Sequence, residues 1–282
     1  MGSVLIQENT MDITKYYCAP DEKPLDVIKP DGGFTGIFRT IACVGDSLSS
    51  GEFEAFDENN NRSCHDMYEY SWGQYMARAA GCKVYNFSVG GMTAKAYLEG
   101  WGESAGVWDP EKACQAYIFA LGCNDLSWAN IPLGCADDID PEHPENCPET
   151  FAGYMCKLLT RYKEIQPKAR FFLISMPRET TDEFVPSGPD DYCRPEKHHE
   201  IMHALAEKFE FTYVIDLYKY GPVYDAEFKR NFYMSGHLNA QGYILTAHMV
   251  MSYIDYIIRK YPEDFTQVPF IGTPIYNVYY KW

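Results

Sequence analysis

No run of 18 consecutive apolar residues occurs in the 282-residue chain, so nothing in it reads as a membrane-spanning helix. The opening residues, MGSVLIQENTMDITKYY, lack a basic segment followed by an apolar one. They do not read as a secretory signal, and a cytoplasmic location is expected unless a leader has been removed. No Gly/Ser linker, internal repeat or low-complexity tract divides the chain. Positive charge is scarce: 24 Lys and Arg against 40 Asp and Glu leave a formal charge of −16 and a pI near 4.8. Such a field repels phosphate backbones and anionic lipid surfaces, which argues against nucleic acid and membranes as partners. No GK[ST] follows a glycine loop, so the common phosphate-binding loop is absent. Ten cysteines are present, yet no two have the CxC or CxxC spacing of zinc ribbons and redox sites. Cys43, Cys114 and Cys123 flank or lie in apolar runs and read as core thiols. Cys135 and Cys147 bracket a loop rich in Asp, Glu and Pro and are the best disulfide candidates, which a reducing compartment would keep open.

What is present points to an ordinary globular protein: 46% apolar, 16% aromatic and 23% charged residues, enough to bury a large core. Five short apolar runs, FRTIACV (38–44), KVYNF (83–87), QAYIFALG (115–122), ARFFLIS (169–175) and FTYVID (211–216), read as strands buried on both faces. Helical patterns lie between them. One ends at Ala80 with Gly81 as its stop, another carries Phe151, Met155, Leu158, Leu159, Tyr162 and Ile165, and the last runs from Ala240 to Ile258 with Pro262 beyond. This alternation predicts a three-layer α/β/α sandwich on a parallel sheet, with ligand sites at the carboxyl ends of the strands. Three segments exceed simple connectors: Ser49–Tyr70, Ser127–Glu149 and Arg178–Pro195. All follow predicted strands and should wall a site, with much of the acidic surplus on the first two.

Candidate chemistry gathers at four strand ends. Ser47 follows the first run in Gly45-Asp46-Ser47-Leu48, where following amides point towards an oxyanion. Asn86-Phe87-Ser88-Val89-Gly90-Gly91-Met92-Thr93 offers close backbone approach, Gly122-Cys123-Asn124-Asp125 offers a side-chain amide, and His237 precedes the last helix. These segments resemble the four blocks of the GDSL, or SGNH, hydrolases: GDSL, NxSxxGxT, GxND and a histidine before the final helix, in order across about residues 38–260. The resemblance implies a flavodoxin-like five-stranded sheet. It also implies Ser47 as nucleophile, His237 as base, the Ser47 and Gly91 amides with Asn124 as oxyanion donors, and no metal or cofactor. Because Ser47 and His237 must meet, one domain over 1–282 is expected, with 1–37 as an extension and 261–282 as a tail.

One position departs from the family pattern. The usual Asp three residues before the histidine is Met234 here. A main-chain carbonyl near Met234 is the expected orienting group, giving a Ser–His dyad, with Asp216 or Asp225 as displaced acids. Asp46 and Asp125 are expected to brace their loops rather than to act chemically.

Two motifs compete. Gly102-Glu103-Ser104-Ala105-Gly106 matches the GxSxG elbow, but no apolar strand precedes it, so Ser104 reads as part of a surface turn. His199-Glu200-Ile201-Met202-His203 is an HExxH on a helical pattern, which would make the chain a zinc peptidase with Asp216 or Glu227 as third ligand. Its competing reading is a helix packing through Ile201, Met202, Leu205 and Phe209, with the two histidines at its margin. His65, His143, His198 and His248 read as surface or packing residues. A catalytically lapsed binding module is the remaining alternative, disfavoured because Ser47, Gly91, Asn124 and His237 are all retained.

The expected activity is hydrolysis of a carboxylic ester, removing acetyl or other short acyl groups from a carbohydrate. Trp72, Trp101, Trp108 and Trp128 among the loops suit sugar faces, and the acidic loops repel anionic headgroups. The expected partner is a small-molecule or oligosaccharide ester. The closing IYNVYYKW segment fits an edge cover, a dimer contact or a sugar platform, and the sequence leaves oligomeric state open.

Overall fold

The computed structural model describes residues 11–179 and 195–282. Its strands are β1 (Thr40–Gly45), β2 (Glu52–Phe56), β3 (Arg62–Asp66), β4 (Lys83–Ser88), β5 (Ala116–Ala120), β6 (Arg170–Ile174), β7 (Thr212–Ile215), β8 (Tyr233–Met234) and β9 (His237–Leu238). The five apolar runs form one sheet in the order β4-β1-β5-β6-β7, every pairing parallel. Counted within that sheet, the order is 2-1-3-4-5, the flavodoxin-like arrangement.

Pleating explains why the three central runs are apolar on both faces. Successive side chains of a strand face opposite ways. Ala42 and Val44 of β1, Tyr117 and Phe119 of β5, and Phe171 and Leu173 of β6 join one core, beneath the helices Phe151–Ile165 and Pro195–Lys208. Their neighbours Ile41, Cys43, Ile118 and Phe172 join the other, beneath Trp72–Ala80 and Ala240–Lys260. Each such large side chain contributes about 1.5–3 kcal/mol by leaving water. Helix limits follow the sequence signals: Gly81 closes Trp72–Ala80 in the left-handed region at φ +65, and Asn239 caps the last helix by accepting from the Gly242 amide. No described helix is long and apolar enough to cross a membrane.

The chain leaves β1 towards β4 on one side, then returns to β5 and proceeds to β6 on the other. The direction of travel reverses between β1 and β5, where open α/β sheets leave a crevice. Ser47 and Asn124 follow those two strands.

The long segments differ from simple walls. Ser49–Tyr70 carries an antiparallel hairpin, β2 with β3, turned at Asp57-Glu58-Asn59-Asn60-Asn61. Asp57 Oδ1 accepts from the amides of Asn59 and Asn61 there, and Asn60 adopts φ +61. Ser127–Glu149 contains the short turns Ala136–Asp138 and Pro144–Asn146. Of Arg178–Pro195, residues 180–194, with Cys193, lie outside the described residues.

Cys135 and Cys147, the best disulfide candidates in the sequence, are both free thiols. Cys135 is exposed beside Asp138, whereas Cys147 is buried beside Cys156. Cys123, expected in the core with Cys43 and Cys114, is exposed.

Candidate active site

Ser47 stands where β1 gives way to a one-turn helix, Ser47–Ser50. Asp46 caps that turn, its Oδ1 accepting from the Leu48 amide at 3.0 Å. Gly45 has to be glycine, since a Cβ there would fall 2.3 Å from Ser49 Oγ. At the far end of the turn Ser50 hydrogen-bonds Asp66 of β3, which ties the hairpin to the serine.

His237 opens β9, the second half of a minimal hairpin whose turn places Ser235 at φ +62. The turn Ser47–Ser50 packs against both β9 and β2. Around the imidazole stand two carboxylates: Glu54 Oε1 lies 2.8 Å from Nδ1, and Glu52 Oε1 lies 3.3 Å from Nε2. Both acids share a face of β2 because they are two residues apart on a strand. Between them Phe53 faces the other way, against Tyr70 and Tyr243.

Glu54 is the better held of the two. Its side chain is 2% exposed, and it accepts from Arg62 Nη2 of the neighbouring strand at 2.7 Å and from the Gly236 amide at 3.2 Å. Burial works against its charge, but hydrogen bonds from Ser235, Arg62 and His237 outweigh that and hold its pKa down to about 2. Glu54 therefore occupies the orienting place expected of a carbonyl near Met234. The displaced acids are engaged elsewhere: Asp216 meets His199 and His203, and Asp225 caps the helix Ala226–Phe232. The signal for Glu54 was the Glu-Phe-Glu alternation at 52–54, inside a segment read as loop.

The second and third blocks meet the first through Asn124. Its Nδ2 donates to Met92 O at 3.1 Å and to Asp46 Oδ2 at 3.3 Å, while its Oδ1 accepts from Trp128 Nε1 at 2.9 Å. Gly91 sits in the turn before Met92 at φ +73, with open space where a Cβ would point. Neither the Ser47 nor the Gly91 amide donates to another described residue. Gly90 leaves room for Glu52, whose Oε2 lies 2.1 Å from where a Cβ would be.

Asp125 accepts twice from the Ala94 amide, so both acids expected to brace their loops do so. Burial, the main cause, raises each to about 7. Ser104 lies on an exposed turn with its hydroxyl on Trp101 O, and no strand precedes it. His198, between the sheet and its helix, is a buried packing residue bonded to Leu121 O. Of the tryptophans, Trp72 and Trp108 belong to the core and Trp101 is partly buried beside Tyr97; Trp128, 63% exposed, stands at the site.

No curated protein matches the chain in sequence. Among solved structures, a protein from Lactobacillus plantarum is similar with a TM-score of 0.57 and 17% identity, over 77% of this chain and 97% of that one. A carbohydrate esterase family 2 enzyme with its carbohydrate-binding domain, from Corynascus thermopiles (Myceliophthora fergusii), gives a TM-score of 0.50 at 15% identity, over 79% of this chain and 66% of that one. These likenesses concern the fold. The sequence profile of the GDSL-like lipase/acylhydrolase family matches residues 43–245, which takes in all four blocks and most of the chain. The protein belongs to the GDSL-like lipase/acylhydrolase family.

Proposed function

We propose that the protein hydrolyses carboxylic esters through an acyl-serine intermediate on Ser47, with His237 as general base and Glu54 holding the imidazole. The observation that carries this reading is the Glu54–His237 hydrogen bond at 2.8 Å. It engages Nδ1 and leaves Nε2 as the nitrogen that accepts the Ser47 proton. Glu52 Oε1, 3.3 Å from Nε2, stands where the Ser47 proton must arrive, so this reading requires that carboxylate to withdraw when substrate binds. As Ser47 Oγ attacks the carbonyl carbon, its proton passes to Nε2 and the carbonyl oxygen becomes an oxyanion. The Ser47 and Gly91 amides receive it, joined by Asn124 once its longer bond to Asp46 is released. The tetrahedral intermediate then expels the alcohol, which takes the proton back from Nε2. Water, deprotonated by the same nitrogen, releases the carboxylic acid from Ser47. The acid supplied by Glu54 also removes the reason for reading the chain as a lapsed binder.

The substrate we favour is a short acyl ester of a carbohydrate. Trp128 offers an exposed ring beside Asn124, suited to the apolar face of a sugar. Glu52 and Glu54, within a chain of net charge −16, disfavour an anionic headgroup. A chain-length series of nitrophenyl esters tests this: activity is expected to peak at acetate and to vanish in Ser47→Ala. A peak at octanoate or longer overturns the short-acyl assignment.

A further inference from the structure

The HExxH segment, which ester hydrolysis leaves unused, is brought by the fold onto a buried carboxylate. His199 and His203 lie one turn apart on Pro195–Lys208, with ring centroids 4.6 Å apart. Both face Asp216, the first residue after β7. His199 Nδ1 stands 3.0 Å from Asp216 Oδ1, and His203 Nε2 stands 3.1 Å from Oδ2. The donor atoms of all three residues lie within 4.8 Å of one another. Zinc bonds of about 2.0–2.1 Å in a tetrahedron separate neighbouring donors by roughly 3.3 Å, so each imidazole nitrogen already lies within a few tenths of an ångström of that spacing from one carboxylate oxygen, and any wider separation in the trio, 4.8 Å at most, has to close around the ion.

We propose that His199, His203 and Asp216 form a binding site for one divalent transition ion of the zinc class. Two imidazoles and one carboxylate are a donor set such ions prefer to Mg²⁺ or Ca²⁺. The carboxylate is pre-oriented: its side chain is 3% exposed, and Oδ1 accepts from Ser175 Oγ at 3.2 Å and from the Lys219 amide at 3.0 Å. Outer hydrogen bonds of that kind fix a ligand in place before the metal arrives. The histidines are more open, at 22% and 47% exposure, and border a cavity of about 590 Å³ that leaves room for a water as fourth ligand. An ion here joins the helix Pro195–Lys208 to the end of β7. Since β7 lies three strands from β1, roughly 14 Å at usual strand spacing, the ion does not reach an acyl group on Ser47. Its role is to fasten the edge of the sheet, not to catalyse.

Isothermal titration of untagged full-length protein with zinc chloride is the test, supported by Co²⁺ substitution read in visible absorption. One ion per chain is expected, with Co²⁺ bands of low coordination number and a rise in melting temperature. His199→Ala and His203→Ala, both at partly exposed positions, are each expected to bind at least about tenfold more weakly while keeping the wild-type circular dichroism spectrum. Nitrophenyl acetate hydrolysis by the metal-stripped protein is expected to be unchanged, so the result stands apart from the esterase assignment. Binding absent or far below one equivalent, or undiminished in both variants, overturns the proposal.

Discussion

Glu54 shows how one side chain can supply what a motif lacks. It lies 183 positions from His237 in sequence and 2.8 Å away in space. Nothing next to the histidine announces it. Its negative charge persists in a nearly dry site because three hydrogen-bond donors converge on it, which makes it a firm partner for Nδ1. Replacing the acid of a serine triad by its amide lowers turnover by about 10⁴ through the wrong imidazole tautomer. Glu54→Gln is therefore expected to lower kcat on nitrophenyl acetate by at least about 10², with KM little altered, while Asp216→Asn and Asp225→Asn keep near wild-type kcat. Steady-state kinetics of the three variants decide it: full activity in Glu54→Gln would return the orienting role to the backbone near Met234.

At the scale of elements, the three central strands of the main sheet were legible because each is largely apolar on both faces, which few loops imitate. Helix ends were legible where a residue does one job, as Gly81 does at φ +65. The β2–β3 hairpin was not. All five residues of β3, Arg-Ser-Cys-His-Asp, are exposed, and β2 carries acids on its inward face, so the usual apolar alternation is missing. The hairpin is held by Arg62–Glu54, Ser50–Asp66 and the Tyr243 hydroxyl on Glu52 O, polar ties that sequence periodicity does not reveal. The four family blocks were legible as letters; the acid completing them was hidden in an element without a hydrophobic signature. The aromatic tail shows the converse. Tyr279 and its neighbours are exposed, but Gln267 bonds the carbonyls of Tyr280 and Lys281, and the adjoining Val268 O bonds Gln115 just before β5. That anchors the tail at the amino ends of the strands, away from Ser47. Removal of residues 275–282 is expected to leave kcat and KM for an acetyl ester unchanged; a raised KM for a sugar ester alone would link the tail to substrate.

For the whole molecule, buried carboxyl groups set the response to pH. Asp46 and Asp125, raised to about 7, hold protons in the folded state that the unfolded chain has released above about 4. Their contribution is complete below about pH 4 and is lost as pH rises through 7. Glu54, lowered to about 2, acts the other way: its contribution is complete above about 4.5 and is lost as pH falls through 2. The mutual repulsion of a −16 surface also eases on mild acidification. Stability should thus peak on the acid side of neutrality. Urea midpoints are expected to be higher at pH 5 than at pH 8, and the difference should shrink in Asp46→Asn/Asp125→Asn. Equal midpoints in the unmodified protein would contradict the balance described.

The pairing of β2 with His237 carries a consequence for how such proteins are dissected. The acid that meets His237 arrives on a hairpin inserted after Ser47 and tied to Ser50, Tyr243 and the Ser235-Gly236 turn, so it belongs to a different part of the sequence from the histidine it holds. Hairpin and histidine therefore form a lock and key divided between the two ends of the domain. A chimaera that exchanges residues 52–66 without the matching turn at Ser235-Gly236 would inherit the key without its lock.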